Sequence, residues 1–125
     1  MTDSSDGKKN KAVPLKCNSD FRRAYARGKV YTNPALVTYV LKNRAGICRI
    51  GITTSKKIGN AVQRNRARRV IRAAFLSLPE AGGSYDIVFV ARTRTVYRKS
   101  TELLPVMRKQ LISAGVIRDD KEVRA

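Results

Sequence analysis

Residues 55–72, S-K-K-I-G-N-A-V-Q-R-N-R-A-R-R-V-I-R, constrain the fold of this chain more than any other stretch. Seven of the seventeen residues from Lys56 to Arg72 are lysine or arginine, and none is acidic. Apolar residues nevertheless recur through the segment and just beyond it: Ile58, Val62, Ala67, Val70, Ile71, Ala74, Phe75 and Leu78. The pattern predicts a helix from about Asn60 to Ser77, with one face in a core and the other facing a polyanion.

The polar and apolar residues of this predicted helix occupy separate faces. At 100° per residue, the apolar positions from Ala67 to Leu78 lie within an arc of about 140°. Most of the remaining circumference carries Arg64, Asn65, Arg66, Arg68, Arg69 and Arg72. Guanidinium groups form bidentate contacts with phosphate and stack on exposed bases. Each arginine alone could be a solvated charge, but six polar residues beside a continuous apolar face indicate an RNA-binding surface.

The overall charge favours the same class of partner. The 125 residues are enough for one domain, and they carry 27 basic against nine acidic side chains, a net charge of +18. Between Phe21 and Pro79 there are fourteen basic residues and no acidic residue, so that +14 of the +18 lies there. A soluble basic protein without a polyanionic partner is the simpler alternative. An anionic membrane is disfavoured, because no apolar run approaches the ~20 residues of a membrane span.

The side chains that protein enzymes use for acid–base chemistry are scarce. There is no histidine, and Asp20, Glu80, Asp86 and Glu102 are isolated in the sequence, so a protein-borne active site is disfavoured. Two cysteines without histidine cannot form a zinc site of four N or S ligands. The N-terminus lacks the apolar core of a signal peptide, which predicts a cytoplasmic protein whose cysteines, Cys17 and Cys48, are free thiols.

The rest of the chain predicts a mixed fold. Asn18-Ser19-Asp20 offers N-cap candidates for a short helix that carries Phe21 and Tyr25 on one face and ends at Gly28. The predicted strands are 35–42, 47–54 and 85–91, the first two forming a hairpin through the turn 43–46; a last helix runs to about Ala114, capped by Gly115. We therefore expect a single-domain, two-layer α+β sandwich at residues 13–115, between flexible tails at 1–12 and 116–125.

Several motifs together carry a family resemblance. S-K-K-I-G-N-A-V-Q-R-N-R-A-R-R, with its R-N-R triplet at 64–66, resembles the signature of the protein subunit of bacterial ribonuclease P. Asp20-Phe21 followed by Tyr25 and Gly28 resembles the first helix of that family. Arg49-Ile50-Gly51 stands at the family's spacing before the signature, and residues 86–92 resemble its last strand. The similarity extends from about residue 15 to residue 111.

This resemblance implies an αβββαβα order with a left-handed β-α-β crossover formed by the basic helix, although right-handed crossovers dominate in general. It also implies a protein that joins a catalytic RNA, the ribonuclease P RNA subunit, in an endoribonuclease that removes the 5′ leader of precursor tRNA. The RNA would carry catalysis, so no protein side chain is assigned as catalytic or as a metal ligand. The holoenzyme would require Mg²⁺, with neither an obligate protein partner nor a membrane.

The resemblance also assigns residues to two sites. The residues expected to face the catalytic RNA are Lys56, Lys57, Asn60, Arg64, Asn65, Arg66, Arg68, Arg69 and Arg72. The aromatic residues Phe21, Tyr25 and Tyr39 are expected to form a leader-binding cleft, and Arg22 and Lys29 to contact phosphates near it. Aromatic faces stack unpaired bases at ~1–3 kcal/mol each with little sequence preference. The alternatives left open are that the aromatic residues belong to a core, or that the chain is a small ribosomal RNA-binding protein or a protein-only nuclease.

Overall fold

The structure is a computed structural model that describes residues 13–78 and 83–117. In these two ranges the chain forms a five-stranded sheet and three α-helices. The strands are β1 Val13–Pro14, β2 Lys29–Asn33, β3 Leu36–Lys42, β4 Arg49–Thr53 and β5 Tyr85–Ala91, and the helices are α1 Asn18–Arg27, α2 Ala61–Leu76 and α3 Ser100–Ser113. Short 3₁₀ turns at Lys56–Ile58 and Thr93–Tyr97 follow β4 and β5. The predicted single α+β domain is confirmed, and β1 precedes the expected αβββαβα order.

The late strand β5 lies at the centre of the sheet, whose order is β1-β4-β5-β3-β2. Its residues Ile87, Val88 and Phe89 are fully buried, which requires cover on both faces. The predicted hairpin between 35–42 and 47–54 is therefore wrong: β5 separates β3 from β4, pairing antiparallel with the first and parallel with the second. The hairpin that forms instead joins β2 to β3 through the short turn after Asn33.

Helix α2 connects the adjacent parallel strands β4 and β5, and thus forms the predicted β-α-β crossover. The left hand of this crossover stays a prediction. Asn60 caps the helix, because its side-chain oxygen accepts from the Gln63 N–H at 2.9 Å while the Gln63 side chain accepts from the Asn60 N–H at 3.0 Å. The predicted core face is confirmed by the burial of Ala67, Val70, Ile71, Ala74, Phe75 and Leu78. Val62 is instead 73% exposed, because it lies on the arginine side of the helix.

Both faces of the sheet are covered, as the apolar character of both faces of the predicted strands indicated. The larger core lies between the sheet and the layer formed by α2 and α3, where the ring centroids of Phe75 and Phe89 are 5.7 Å apart. On the opposite face α1 covers a smaller cluster of Leu15, Ala24 and Val88. Part of the sheet surface beside α1 therefore stays accessible.

Two predictions about the ends of elements are wrong. None of Asn18, Ser19 and Asp20 is the N-cap of α1; Cys17 takes that position without a side-chain cap, and the Asp20 carboxylate turns toward Arg49 instead. The domain also continues past residue 115. Gly115 adopts φ +85°, and this turn lets the N–H groups of Val116 and Ile117 bond to the carbonyl of Leu111, which buries both side chains in the larger core. Residues 1–12 and 118–125 lie outside the described residues.

No helix in the described part of the chain is both long and apolar enough to cross a membrane.

Candidate RNA-binding surface

The elements that carry the predicted RNA-binding residues gather at one end of the sheet. Strands β4 and β5 are parallel and in register, with Thr53 opposite Val90, so their carboxyl ends lie side by side. The 3₁₀ turn at 56–58 and the start of α2 follow the first strand, and the 3₁₀ turn at 93–97 follows the second. The two turns contact each other and α2. Segments far apart in the sequence therefore form one continuous surface.

The nine predicted residues of this region form a patch that we call the α2 basic surface. They are Lys56, Lys57, Asn60, Arg64, Asn65, Arg66, Arg68, Arg69 and Arg72, and all are exposed except the half-buried Arg64. The apolar side of α2 is fixed in the core, so the backbone that carries these side chains is held in place. The structure therefore brings together every residue predicted to face the RNA.

Three of these arginines donate hydrogen bonds to uncharged acceptors. Arg64 Nη1 lies 2.6 Å from the carbonyl oxygen of Gly59, and Arg66 Nε lies 2.8 Å from that of Val96. Arg68 Nη2 donates to the hydroxyl of Thr54 at 3.2 Å. Within residues 13–78 and 83–117, no arginine of α2 pairs with a carboxylate. Their positive charge is therefore oriented by the fold without a carboxylate partner among those residues, which favours an anionic ligand.

Among the described residues, the carboxylates of Asp86 and Asp20 are engaged away from this surface. Asp86 is 1% exposed and accepts from Arg49 Nε at 2.7 Å and from Arg49 Nη2 at 2.8 Å. Asn43 Nδ2 also donates to it, at 2.8 Å. The third guanidinium nitrogen, Nη1, lies 3.7 Å from Asp20, and this contact ties α1 to the sheet. The hydrogen bond to Asp86 is the main cause that raises the pKa of Arg49 above its ordinary value.

A shallow groove lies along the exposed side of α1. This α1 groove encloses about 450 Å³ and is lined by Asn18, Phe21, Arg22, Tyr25 and Thr53. The hydroxyl of Tyr25 donates to Thr53 Oγ1 at 3.3 Å, so the ring, which is 40% exposed, is held against the end of β4. The groove therefore offers two aromatic side chains and a cation to a ligand, without deep enclosure.

Tyr39 supports the α1 groove from behind. Its ring meets that of Tyr25 edge to face, with the centroids 4.9 Å apart and the planes at 81°. Tyr39 is half-buried in the cluster beneath α1 and does not line the groove itself. Phe21 and Tyr39 thus pack on the small core, while Phe21 and Tyr25 also face the groove. Binding of a leader there stays a prediction.

Lys29 is a predicted leader-binding residue that the structure places away from the α1 groove and its supporting cluster. It lies on β2, at the edge of the sheet opposite to β4 and β1. There it shares a groove with Arg27, Lys42 and Tyr85 and does not line the α1 groove. Sequence proximity to Tyr25 suggested a common site, but the chain turns away at Gly28 and enters the edge strand.

Phe21 connects the α1 groove to the α2 basic surface. A second groove of about 410 Å³ runs from Phe21 past Gly51 of β4 to Arg68 and Arg72 of α2. The approach at Gly51 is close: a side chain there would overlap the Phe21 ring. Gly51 belongs to a recognisable motif in the sequence, but its contact with Phe21 depends on the packing of α1 across β4. Nothing in the sequence alone indicates this connection.

Comparison with known proteins adds to this geometry. The family model described as Ribonuclease P matches residues 10–115. The chain belongs to the ribonuclease P protein family. The ribonuclease P protein component of Clostridioides difficile (strain 630) is 48% identical over 85 residues, which cover 66% of this chain and 75% of that protein. That of Clostridium botulinum (strain Langeland) is 40% identical over 104 residues, covering 82% of this chain and 94% of that protein.

Solved structures of ribonuclease P proteins share the fold. The Staphylococcus aureus RNase P protein has a TM-score of 0.75 and 33% sequence identity, and the match covers 86% of this chain and all of that one. The RNase P protein from Thermotoga maritima has a TM-score of 0.70 at 24% identity, a likeness that shows the fold alone; it covers 78% of this chain and 94% of that one. The expected ribonuclease P resemblance is thus confirmed.

Proposed function

We propose that this chain is the protein component of a ribonucleoprotein ribonuclease P, and that it binds both the catalytic RNA and the 5′ leader of precursor tRNA. The α2 basic surface would hold the RNA subunit, and the α1 groove would hold the leader while it is removed by endonucleolytic cleavage. One observation carries the proposal. Arginines of α2 that pair with no carboxylate in the described part of the chain border a groove that reaches Phe21, and Phe21 also lines the aromatic α1 groove.

Binding of the RNA subunit would draw its free energy mainly from the release of counterions. Each phosphate neutralised by a lysine or arginine releases condensed cations, so affinity falls steeply with salt. Because Arg64, Arg66 and Arg68 are already oriented by neutral acceptors, less side-chain freedom is lost on binding. The face of α2 thereby supplies affinity and a defined orientation.

Leader binding in the α1 groove would be tolerant of sequence. Phe21 and Tyr25 present aromatic surface on which unpaired bases stack, and Arg22 stands beside them for phosphate. Such stacking discriminates single-stranded from paired RNA more than one base from another. The groove therefore suits a leader that differs between tRNA precursors.

Bond cleavage is assigned to the RNA subunit. In the described ranges, no three histidine, cysteine, aspartate or glutamate side chains converge into a group that could hold a metal ion. The carboxylates of Asp20 and Asp86 are also committed to Arg49. The side chains of residues 13–78 and 83–117 thus do not fit a protein-held Mg²⁺ site, and we assign the Mg²⁺ that the holoenzyme would require to none of them. We further propose a cytoplasmic location and no obligate protein partner.

Reconstitution tests the proposal. Precursor tRNA is incubated with Mg²⁺ and the ribonuclease P RNA alone, the protein alone, or both, and the 5′ end of the product is mapped. We expect the protein alone to leave the substrate intact and the pair to cleave faster than the RNA alone at moderate salt. Cleavage by the protein alone would contradict the assignment of chemistry to the RNA. No gain from adding the protein would contradict the proposal as a whole.

Substitutions of the aromatic residues distinguish an effect on leader binding from an effect on folding. Phe21→Ala and Tyr39→Ala should weaken binding of precursor tRNA that retains its leader, while binding of mature tRNA changes little. Equal losses for the two tRNAs, together with a large drop in the free energy of unfolding, would instead assign these rings to the core.

A further inference from the structure

Tyr97 is an exposed aromatic residue in a basic segment that neither proposed site includes. The segment 92–99 reads R-T-R-T-V-Y-R-K, with four cations and no acid. Tyr97 is 73% exposed at the end of the 3₁₀ turn, and its neighbours Arg94 and Lys99 are also exposed. Single exposed apolar side chains are common on proteins, so exposure alone indicates nothing. A role for Tyr97 is indicated instead by the turn that carries it and by the basic residues around it.

The turn that carries Tyr97 is fixed from below. Thr95 is fully buried, where its hydroxyl donates to the carbonyl of Ala35 and accepts from the N–H of Arg92 at 2.9 Å. Val96 is 5% exposed within the larger core. Two consecutive buried residues thus determine the direction of the next one, and the Tyr97 ring is held toward solvent by a well-anchored backbone. Little conformational freedom of the turn remains to be lost when a ligand contacts that ring.

The same turn is joined directly to the α2 basic surface. Arg66 Nε donates to the carbonyl of Val96, the residue before Tyr97, at 2.8 Å. Arg66 and Arg69 also line a cavity of about 280 Å³ together with Lys99 and Ser100. This flank of α2 is the one turned away from Arg68 and Arg72, which border the groove leading to Phe21. A strand of RNA in the α1 groove therefore approaches α2 from the other side.

We propose that Tyr97 stacks on an unpaired nucleotide of the catalytic RNA subunit, with Arg94, Arg98 and Lys99 contacting the phosphates on either side of that nucleotide. The proposal rests on the proposed function, because it extends the RNA on α2 across Arg66 onto the 3₁₀ turn. An aromatic ring between cations matches the way unpaired nucleotides are bound: the ring takes the base, and the charges take the backbone. The local excess of positive charge disfavours a basic or neutral protein surface as the occupant.

The test measures affinity for the isolated ribonuclease P RNA, without any tRNA, over a range of salt concentrations. The variants are Tyr97→Ala, Tyr97→Phe, Lys99→Ala and Arg69→Ala. The matched control is Ile47→Ala, which removes an apolar side chain that is 42% exposed near the opposite end of the sheet. We expect Tyr97→Ala to weaken binding about tenfold with an unchanged salt slope, because the substitution removes a stacked ring but no charge. Tyr97→Phe and Ile47→Ala should bind like the parent, and Lys99→Ala should lower the slope by about 0.7–0.9.

The possible outcomes separate this inference from the proposed function. If Tyr97→Ala binds the RNA like the parent while Arg69→Ala binds weakly, the Tyr97 inference fails and the function of the α2 basic surface stands. If neither the parent nor any variant binds the RNA at moderate salt, the proposed function fails. A loss in Tyr97→Phe equal to that in Tyr97→Ala would overturn stacking in favour of a hydroxyl contact. A loss seen only with leader-bearing precursor tRNA would overturn the choice of the RNA subunit as occupant.

Discussion

Arg49 and Asp86 lie opposite each other on the parallel strands β4 and β5 and form a two-pronged ion pair, with N–O distances of 2.7 and 2.8 Å. Because Arg49 also reaches Asp20, this pair links the centre of the sheet to the helix that forms the α1 groove. The hydrogen bond to Asp86 raises the pKa of Arg49. The contribution of this arginine to the free energy of unfolding is therefore fully present below the ordinary arginine pKa and is lost only at still higher pH.

Removing one partner of this pair should be costly. Arg49→Met leaves the carboxylate of Asp86 buried, with Asn43 as its remaining side-chain donor in the described part of the chain, and we expect the free energy of unfolding to fall by about 3 kcal/mol. Arg23→Met is the matched control, since Arg23 pairs with Asp20 at the surface, 3.6 Å away. That change should stay within about 0.5 kcal/mol. Urea denaturation of both variants gives the comparison, and equal losses would contradict the central role of the Arg49–Asp86 pair.

The different positions of Arg22 and Lys29 predict different effects on leader binding. Both are exposed cations that sequence placed near the leader, but only Arg22 lines the α1 groove. Arg22→Ala should therefore weaken binding of leader-bearing precursor tRNA several-fold more than Lys29→Ala, and mature tRNA should not distinguish the two. Filter binding at fixed salt measures both. A larger effect of Lys29→Ala would place the leader on the β2 edge of the sheet instead.

Gly51→Ala should disturb the α1 groove without replacing any of its lining residues. The added methyl group would overlap the Phe21 ring, which must move, while the backbone of β4 has no need to change. We expect weaker binding of leader-bearing precursor tRNA and a modest loss of stability. In a Phe21→Ala background the same change should have almost no further effect on leader binding, because the displaced ring is gone. Additive effects in this double-mutant cycle would show that Gly51 acts by another route.

Arg66 and Arg69 should separate stability from RNA binding. The Arg69 side chain makes no hydrogen bond or ion pair among the described residues, whereas the Arg66 side chain donates to the carbonyl of Val96. Both alanine variants should weaken RNA binding and flatten its salt dependence by about 0.7–0.9 in slope. Only Arg66→Ala should also destabilise the fold, by about 1 kcal/mol. Thermal melts and salt titrations on the same samples test this, and an unchanged salt slope for Arg69→Ala would remove it from the RNA-binding surface.

The two cysteines should differ in reactivity, and both are free thiols as predicted. Burial, helped by the nearby charge of Asp86, raises the pKa of Cys48 from 9.0 to about 11. At pH 8 only about one Cys48 in a thousand is then a thiolate, so alkylation should be at least about tenfold slower than at the exposed Cys17. The raised pKa contributes stability that is fully present below pH 9.0 and is lost as pH rises toward about 11. Mass spectrometry after timed iodoacetamide treatment distinguishes the sites, and equal rates would contradict the burial of Cys48.

The sequence could predict the features that depend on residues close together in the chain. The sequence predicts α2, its buried face and its arginine face because these follow from the spacing of residues three and four apart. Asn60 and Gln63, which cap the start of the helix, also lie within one turn of each other. The sheet order could not be predicted this way. Good turn chemistry between β3 and β4 suggested a hairpin, but the burial of β5 on both faces requires a central place between them. For the same reason, the separation of Lys29 from the α1 groove and the contact of Phe21 with Gly51 appear only once the strands are ordered.

The central place of β5 also has a consequence for how the protein folds during its synthesis on the ribosome. Until residues 85–91 emerge, β4 lacks its long partner and β3 has only β2, so the sheet surface against which α2 packs is incomplete. The fourteen cations between residues 21 and 79 have by then all been made, with no acid among them. The nascent chain thus passes through a stage in which its charges repel one another before burial of the α2 core can offset that repulsion. A polyanion that neutralises this stretch would favour its collapse, so the nucleic acid that this protein binds when folded is also suited to assist the folding itself.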